Sequence, residues 1–141
     1  MEFFRSLLRL LRSPGAGVRE EAWARAWLER ERGFVIVAAN WRNPRDRREE
    51  IDLVCRDGAV LVFVEVKARR PDALVPGYFA VDARKRRVLR RAACAYLRSL
   101  PRKPGTFRCD VVEISREPDA SAPREIRHFE NVPLFGKHFR G

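Results

Sequence analysis

The sequence predicts an α/β domain, with a mixed central sheet and helices on both faces. Three observations carry that expectation. Helical periodicity over residues 17–32 and 82–100 brackets and follows runs rich in β-branched residues. An Asp57-Gly58 pair separates two of those runs, a strong short-range hairpin signal. The chain has 141 residues, 45% of them hydrophobic, which suits one domain with a real core.

The elements follow in order. Residues 1–12 (MEFFRSLLRLLR) set Phe3, Phe4, Leu7, Leu8 and Leu11 at helical spacing, with Arg5 and Arg9 on other faces. This short basic amphipathic helix is open to three uses: packing on its own domain, docking on a partner, or resting on an anionic membrane surface. The arginines, and the lack of a small-residue cleavage site, argue against a secretory signal. Residues 1–13 are thus an N-terminal helix, 17–131 the α/β domain and 132–141 a tail.

Within the domain, residues 17–32 form a helix with Val18, Ala22, Ala24, Trp27 and Leu28 as apolar members, stopped by Gly33. Residues 34–38 form a strand. Residues 40–49 (NWRNPRDRRE) read as a basic polar loop broken by Pro44. Residues 51–55 and 59–67 are the hairpin strands. Pro71, Pro76 and Gly77 make residues 68–80 a loop. Residues 82–100 form a helix capped by Asp82. It returns the chain, by a right-handed crossover, to a parallel strand at 108–115. A short strand at 125–129 ends the domain.

Composition narrows the function classes. No apolar run approaches the ~20 residues of a membrane-spanning helix, so no stable membrane insertion is expected. Cys55, Cys94 and Cys109 are odd in number and lack C-x-x-C spacing, which speaks against a disulfide framework or structural zinc and for reduced thiols in a cytoplasmic protein. Thirty Lys and Arg stand against 19 Asp and Glu, a net of +11. That field favours polyanions, nucleic acid being the commonest large one, although genome composition also produces an arginine bias.

The hairpin concentrates acids. With Asp57-Gly58 as a two-residue turn, Glu50 faces Glu65, Asp52 faces Phe63 and Val54 faces Leu61, so all six share one face with Lys67. The other face, Ile51, Leu53, Cys55, Val60, Val62, Val64 and Val66, is wholly apolar. Asp52 and Glu65 become diagonal neighbours, roughly 7–8 Å apart at the backbone. Gathered carboxylates need compensation. Raised pKa values, Lys67, a bound cation, or solvation with partners such as Arg45, Arg47 or Arg48 would each supply it.

Glu50-Ile51-Asp52-Leu53, Phe63-Val64-Glu65-Val66-Lys67 and Arg108-Cys109-Asp110-Val111-Val112 resemble the YraN-like family of bacterial proteins. The resemblance runs from about Arg19 to Asn131. It implies a restriction-endonuclease-like core (helix, three strands, helix, strand) of the PD-(D/E)XK nuclease superfamily, similar to Holliday-junction resolvases. It implies roles too. Asp52 and Glu65, with the Val66 carbonyl and Glu50, would hold Mg²⁺ or Mn²⁺. Glu21 would be the further acid of the first helix, and Lys67 would orient the attacking water. Lys85 would hold a phosphate at the first turn of the second helix. Arg108 and Asp110 would form a structural ion pair. Glutamates stand at positions 20 and 49 where the family usually has glycine, which leaves Glu20 as the alternative to Glu21.

From Arg84 to Arg108 the chain has ten cations and no acid. Arg84, Lys85, Arg86, Arg87 and Arg90, with Arg45, Arg69 and Arg70, would bind nucleic acid; a merely solvated basic helix is the plain alternative. Trp23, Trp27 and Trp41 suit a core better than base stacking, and His128 and His138 look too isolated for catalysis. The implied function is a metal-dependent DNA endonuclease acting on branched or single-stranded DNA. A homodimer is the state that cutting two strands calls for. The alternatives are a nucleic-acid-binding module of this fold without cleavage, and an interaction protein led by its N-terminal helix.

Overall fold

The computed structural model describes residues 14–71 and 83–134. The expected N-terminal helix, the Asp82 cap, most of the 68–80 loop and the end of the tail lie outside them. Helix α1 (Pro14–Arg32) leads to strand β1 (Val35–Asn43), β2 (Asp46–Asp57) and β3 (Val60–Arg69). Helix α2 (Ala83–Ser99), β4 (Thr106–Ser115) and β5 (Glu125–Phe129) follow. The five strands form one sheet in the order β1-β2-β3-β4-β5. Only β3 and β4 are parallel, as a helical crossover requires. The expected mixed α/β architecture is therefore what the chain adopts.

Each face of the sheet has its own core. On one, Ala24 and Leu28 of α1 pack with Phe34, Leu53, Cys55, Val62, Val64, Val112 and Ile114. On the other, Ala92, Ala93, Tyr96 and Leu97 of α2 pack with Ile51, Val54, Leu61 and Phe63. Gly33 stops α1 at φ 67°, a conformation glycine adopts without strain, and the Phe34 N–H reaches back to the Leu28 carbonyl at 3.1 Å. Trp23 and Trp27 join the first core and Trp41 the second.

Several expectations need correction. On α1, Val18 is exposed while Glu20 is buried, so the inward stripe is Glu20, Ala24, Leu28 at four-residue spacing. Residues 40–49 are not a loop but the far half of a hairpin, turning at Pro44-Arg45. The Arg45 N–H donates to Asn43 Oδ1 at 3.0 Å, and Asn43 Nδ2 donates to Glu49 at 2.8 Å. Polar side chains tie this stem, which is why no apolar alternation announces it.

The β2–β3 turn is Gly58-Ala59, not Asp57-Gly58. Asp57 pairs with Val60, and of the two turn residues only Gly58 has positive φ, at 57°. A first-position glycine is the type II′ pattern, whereas Asp57-Gly58 as a type I′ turn would need positive φ at both. The register moves by two residues, so Val54 faces Phe63. A two-residue shift keeps each side chain on its face. The alternation instead breaks at Asp52: Ile51 packs with Val54 against α2, not with Leu53 and Cys55. Its partner strand changes phase with it, half-buried at Ile36 and Ala38 and then at Trp41 and Asn43, with Asn40 between at φ 51°. The core also runs past residue 131, since Val132 and Leu134 are buried with Leu89, Cys109 and Val111.

Candidate active site

The β2–β3 ladder ends at Leu53–Val64, while β3 stays paired with β4 as far as Arg69–Ser115. Beyond Leu53 the two hairpin strands part, and side chains fill the opening. The Asp52 carboxylate accepts a hydrogen bond from the Val66 N–H at 2.8 Å, standing in for the missing ladder bond. In an extended strand the N–H and C=O of one residue leave on the same side. The Val66 carbonyl therefore faces the same opening as Asp52.

Glu65 is 1% exposed, and neither of its oxygens has a hydrogen-bond donor among the described residues. Two ammonium groups compensate at longer range. Lys85 Nζ lies 3.4 Å and Lys67 Nζ 3.9 Å from Glu65 Oε1. Burial first, and the Glu65 carboxylate second, push the Asp52 carboxyl well above its ordinary value of 3.8, against the pull of the Val66 N–H. The charge of Glu21, on α1, adds to that push. Asp52, Glu65, Lys67 and Lys85 thus converge, with Glu21 within electrostatic reach.

Other expected residues do not join them. Glu50 pairs with Arg42 at 3.2 Å. Glu20 is taken by Arg116, whose Nε lies 2.6 Å from its carboxylate. Arg69, expected to contact nucleic acid, is instead held by buried Glu113 at 2.9 Å. Arg45, Arg70, Arg84, Arg86, Arg87 and Arg90 are exposed.

Could the acids hold a metal ion? Among the described residues no three His, Cys, Asp or Glu side chains gather closely enough to form a cage. Mg²⁺ does not require one: it takes one or two carboxylates and fills the rest of its octahedron with other oxygens. Asp52, Glu65 and the Val66 carbonyl form such a set, all hard oxygen donors. The two undonated oxygens of Glu65 are the specific mark, because a buried carboxylate normally finds donors.

A second buried network contains the expected Arg108–Asp110 ion pair and two partners the sequence did not reveal. Asp110, fully buried, accepts from Arg108 Nε at 2.9 Å and from the Asn131 N–H at 2.9 Å, and pairs with His128 Nε2 at 2.8 Å. The His128 ring is set edge-on to Trp27 and Phe34. Arg108 and Asp110 gave half the signal, as an i, i+2 pair on one face of a strand. The histidine comes from β5, and no spacing rule brings it there.

These features describe an α/β protein with the arrangement of a restriction-endonuclease-like core, whose parted central strands present paired carboxylates and lysines. The model of the uncharacterised protein family UPF0102, the YraN-like family, matches residues 20–114. A UPF0102 protein of Xanthomonas oryzae pv. oryzae is 48% identical over 105 residues, covering 74% of this chain and 81% of that protein. One from Geobacter sulfurreducens is 43% identical over 117 residues, 82% of this chain and 86% of its own. One from Symbiobacterium thermophilum is 48% identical over 87 residues, 62% and 71%. The chain belongs to this family.

Proposed function

We propose that this protein is a divalent-metal-dependent nuclease that hydrolyses DNA phosphodiester bonds, on branched or single-stranded substrates. The observation that supports this best is the pairing of Asp52, fixed by the Val66 N–H, with the buried Glu65, whose oxygens lack donors. Bound Mg²⁺ or Mn²⁺ would supply polarisation of the phosphate and a lowered pKa for water. Asp52, Glu65 and the Val66 carbonyl would hold that ion. Lys67 would orient the attacking water and offset charge on the phosphate. Lys85, at the first turn of α2, would transfer its ion pair from Glu65 to the phosphate once the cation neutralises the acid. Glu21 would attract a cation from the side of α1.

The test is cleavage of labelled single-stranded, duplex, flap and four-way-junction DNA with Mg²⁺, with Mn²⁺ and with chelator. Wild type should cut at least one substrate in metal and none in chelator, and Asp52→Ala and Lys67→Ala should fall at least 100-fold. Equal product from wild type and both variants would mark a contaminant and end the reading. Tight, salt-dependent binding with no nicking in either metal would make the protein a binding module of this fold.

A further inference from the structure

A groove of about 310 Å³ lies between the far half of the β1–β2 hairpin and helix α2. Arg48 and Asp46 line it from the hairpin, and Arg84, Arg87 and Arg91 from the helix. Building on the nuclease reading, we infer that this groove receives the backbone of a nucleic-acid strand separated from its complement, next to the cleaved phosphate.

The helix arginines carry most of the argument. Arg48 is already committed, donating through Nε and the guanidinium to Asp46 at 3.0 Å. Arg84, Arg87 and Arg91 are exposed and make no hydrogen bond or salt bridge among the described residues. Positions 84, 87 and 91 follow three- and four-residue spacing, so the three line one face of the helix as a row of donors. The row begins in the first turn of α2, which holds no acid. Cations there oppose the positive end of the helix dipole. Seven cations and no acid over the whole helix add to the conflict. A rule of helix stability broken this consistently points to an anion that resolves it.

Position ties the groove to the acids. Lys85, beside Arg84 in sequence, turns to Glu65, while Arg84 turns to the groove. A strand crossing this helix would meet the two in succession. Size and lining set the kind of strand. The groove is at the small end of ligand sites, with room for about one nucleotide. Asp46 is held by Arg48, but Glu49 on the hairpin wall accepts from Asn43 through one oxygen and keeps the other as an acceptor for a base imino group. An imino N–H is free only when the base is unpaired.

The test measures binding in chelator, where metal-dependent cleavage cannot interfere. Fluorescently labelled single-stranded and duplex DNA of equal length would be titrated with full-length protein. Arg84→Gln/Arg87→Gln/Arg91→Gln would be compared with Arg30→Gln/Arg56→Gln/Arg124→Gln, an equal change of charge at exposed positions elsewhere. Circular dichroism would confirm that both fold. Wild type should prefer the single strand. The groove triple should weaken single-strand binding at least 30-fold and lower the salt slope by about two, since each single-strand phosphate contact contributes about 0.7. The control triple should stay within threefold. Equal loss in both triples, no preference over duplex, or full displacement by inorganic phosphate or AMP at matched phosphate concentration would overturn the inference. Loss confined to the groove triple, in a protein that cuts nothing in Mg²⁺, would keep the groove and remove the nuclease. Normal binding by the groove triple of a cutting enzyme would do the reverse.

Discussion

The Asp52 carboxylate accepts the N–H of Val66, fourteen residues further along the chain, at 2.8 Å. This bond closes the backbone where β2 leaves β3, and so fixes a carboxylate beside Glu65. The chain gains rigidity there at the cost of two acids brought together under cover.

Asp52→Asn follows from that relationship. The amide oxygen still accepts the Val66 N–H, while one of two facing charges disappears. Without metal, the variant should melt above wild type at pH 7.5, by roughly 1 kcal/mol or about 3–5 °C for a domain of this size. Adding Mg²⁺ should raise the melting temperature of wild type and leave the variant nearly unmoved, because a ligand stabilises only what binds it. Thermal melts with and without metal would show both effects. A variant that melts lower without metal, or rises with Mg²⁺ as much as wild type, would contradict the account.

The Asp110 network predicts an acid limit to stability. Burial alone would raise the Asp110 carboxyl, but His128, Arg108 and the Asn131 N–H outweigh it and hold it below 3.8. A depressed folded-state pKa means the stabilisation is complete above the unfolded value and lost as pH falls through the folded one. Asp110→Asn should cost about 3 kcal/mol at pH 7, since it strips a buried pair of its charge. The gap between wild type and variant should close as the pH falls below about 4. Urea unfolding across that range checks it, and a gap that widens toward low pH would be the wrong sign.

The three cysteines should separate by reactivity. Cys55 and Cys109 are buried, and burial first pushes each thiol up to about 12. Cys94 is half-buried and raised mainly by burial, with Arg98 and Arg90 pulling it back. At pH 8 a disulfide reagent should titrate one thiol in the native protein, removed by Cys94→Ser, and all three in guanidinium. Prompt native reaction of two or three thiols would mean that one of the cores is open.

How much of this was legible beforehand follows from what each signal depends on. Local patterns sufficed for both helices, for the crossover strand and for the parity of the paired part of the β2–β3 hairpin, since a turn misplaced by one residue shifted the register by two. The far half of the β1–β2 hairpin was not legible, because Asn43, Glu49 and Arg45 hold it through polar bonds that carry no hydrophobic period. Nor was the change of face at Asp52, which is accompanied by a positive φ at Asn40 in the neighbouring strand. Arg69 shows the same limit: its charge is plain in the sequence, but its commitment to Glu113, 44 residues away, is tertiary.

Glu20 and Arg116 provide the last test, because they decide which acid of α1 is left for the site. Glu20 is 2% exposed and bound by Arg116, which also donates to the Pro118 carbonyl at 2.6 Å. The pair fastens α1 to the segment after β4, while the charge of Glu21, the next residue, reaches Asp52. Arg116→Met should leave a buried carboxylate uncompensated and cost about 3–5 kcal/mol. Glu20→Gln with Arg116→Met should recover part of that loss, since no net charge then stays buried. Glu20→Gln alone should keep α1 in place and preserve metal-dependent activity, whereas Glu21→Gln should lower activity without lowering the melting temperature. Urea unfolding of the four variants, paired with the cleavage assay, separates the two roles. If Glu20→Gln lost activity while Glu21→Gln kept it, Glu20 rather than Glu21 would be the acid that serves the site.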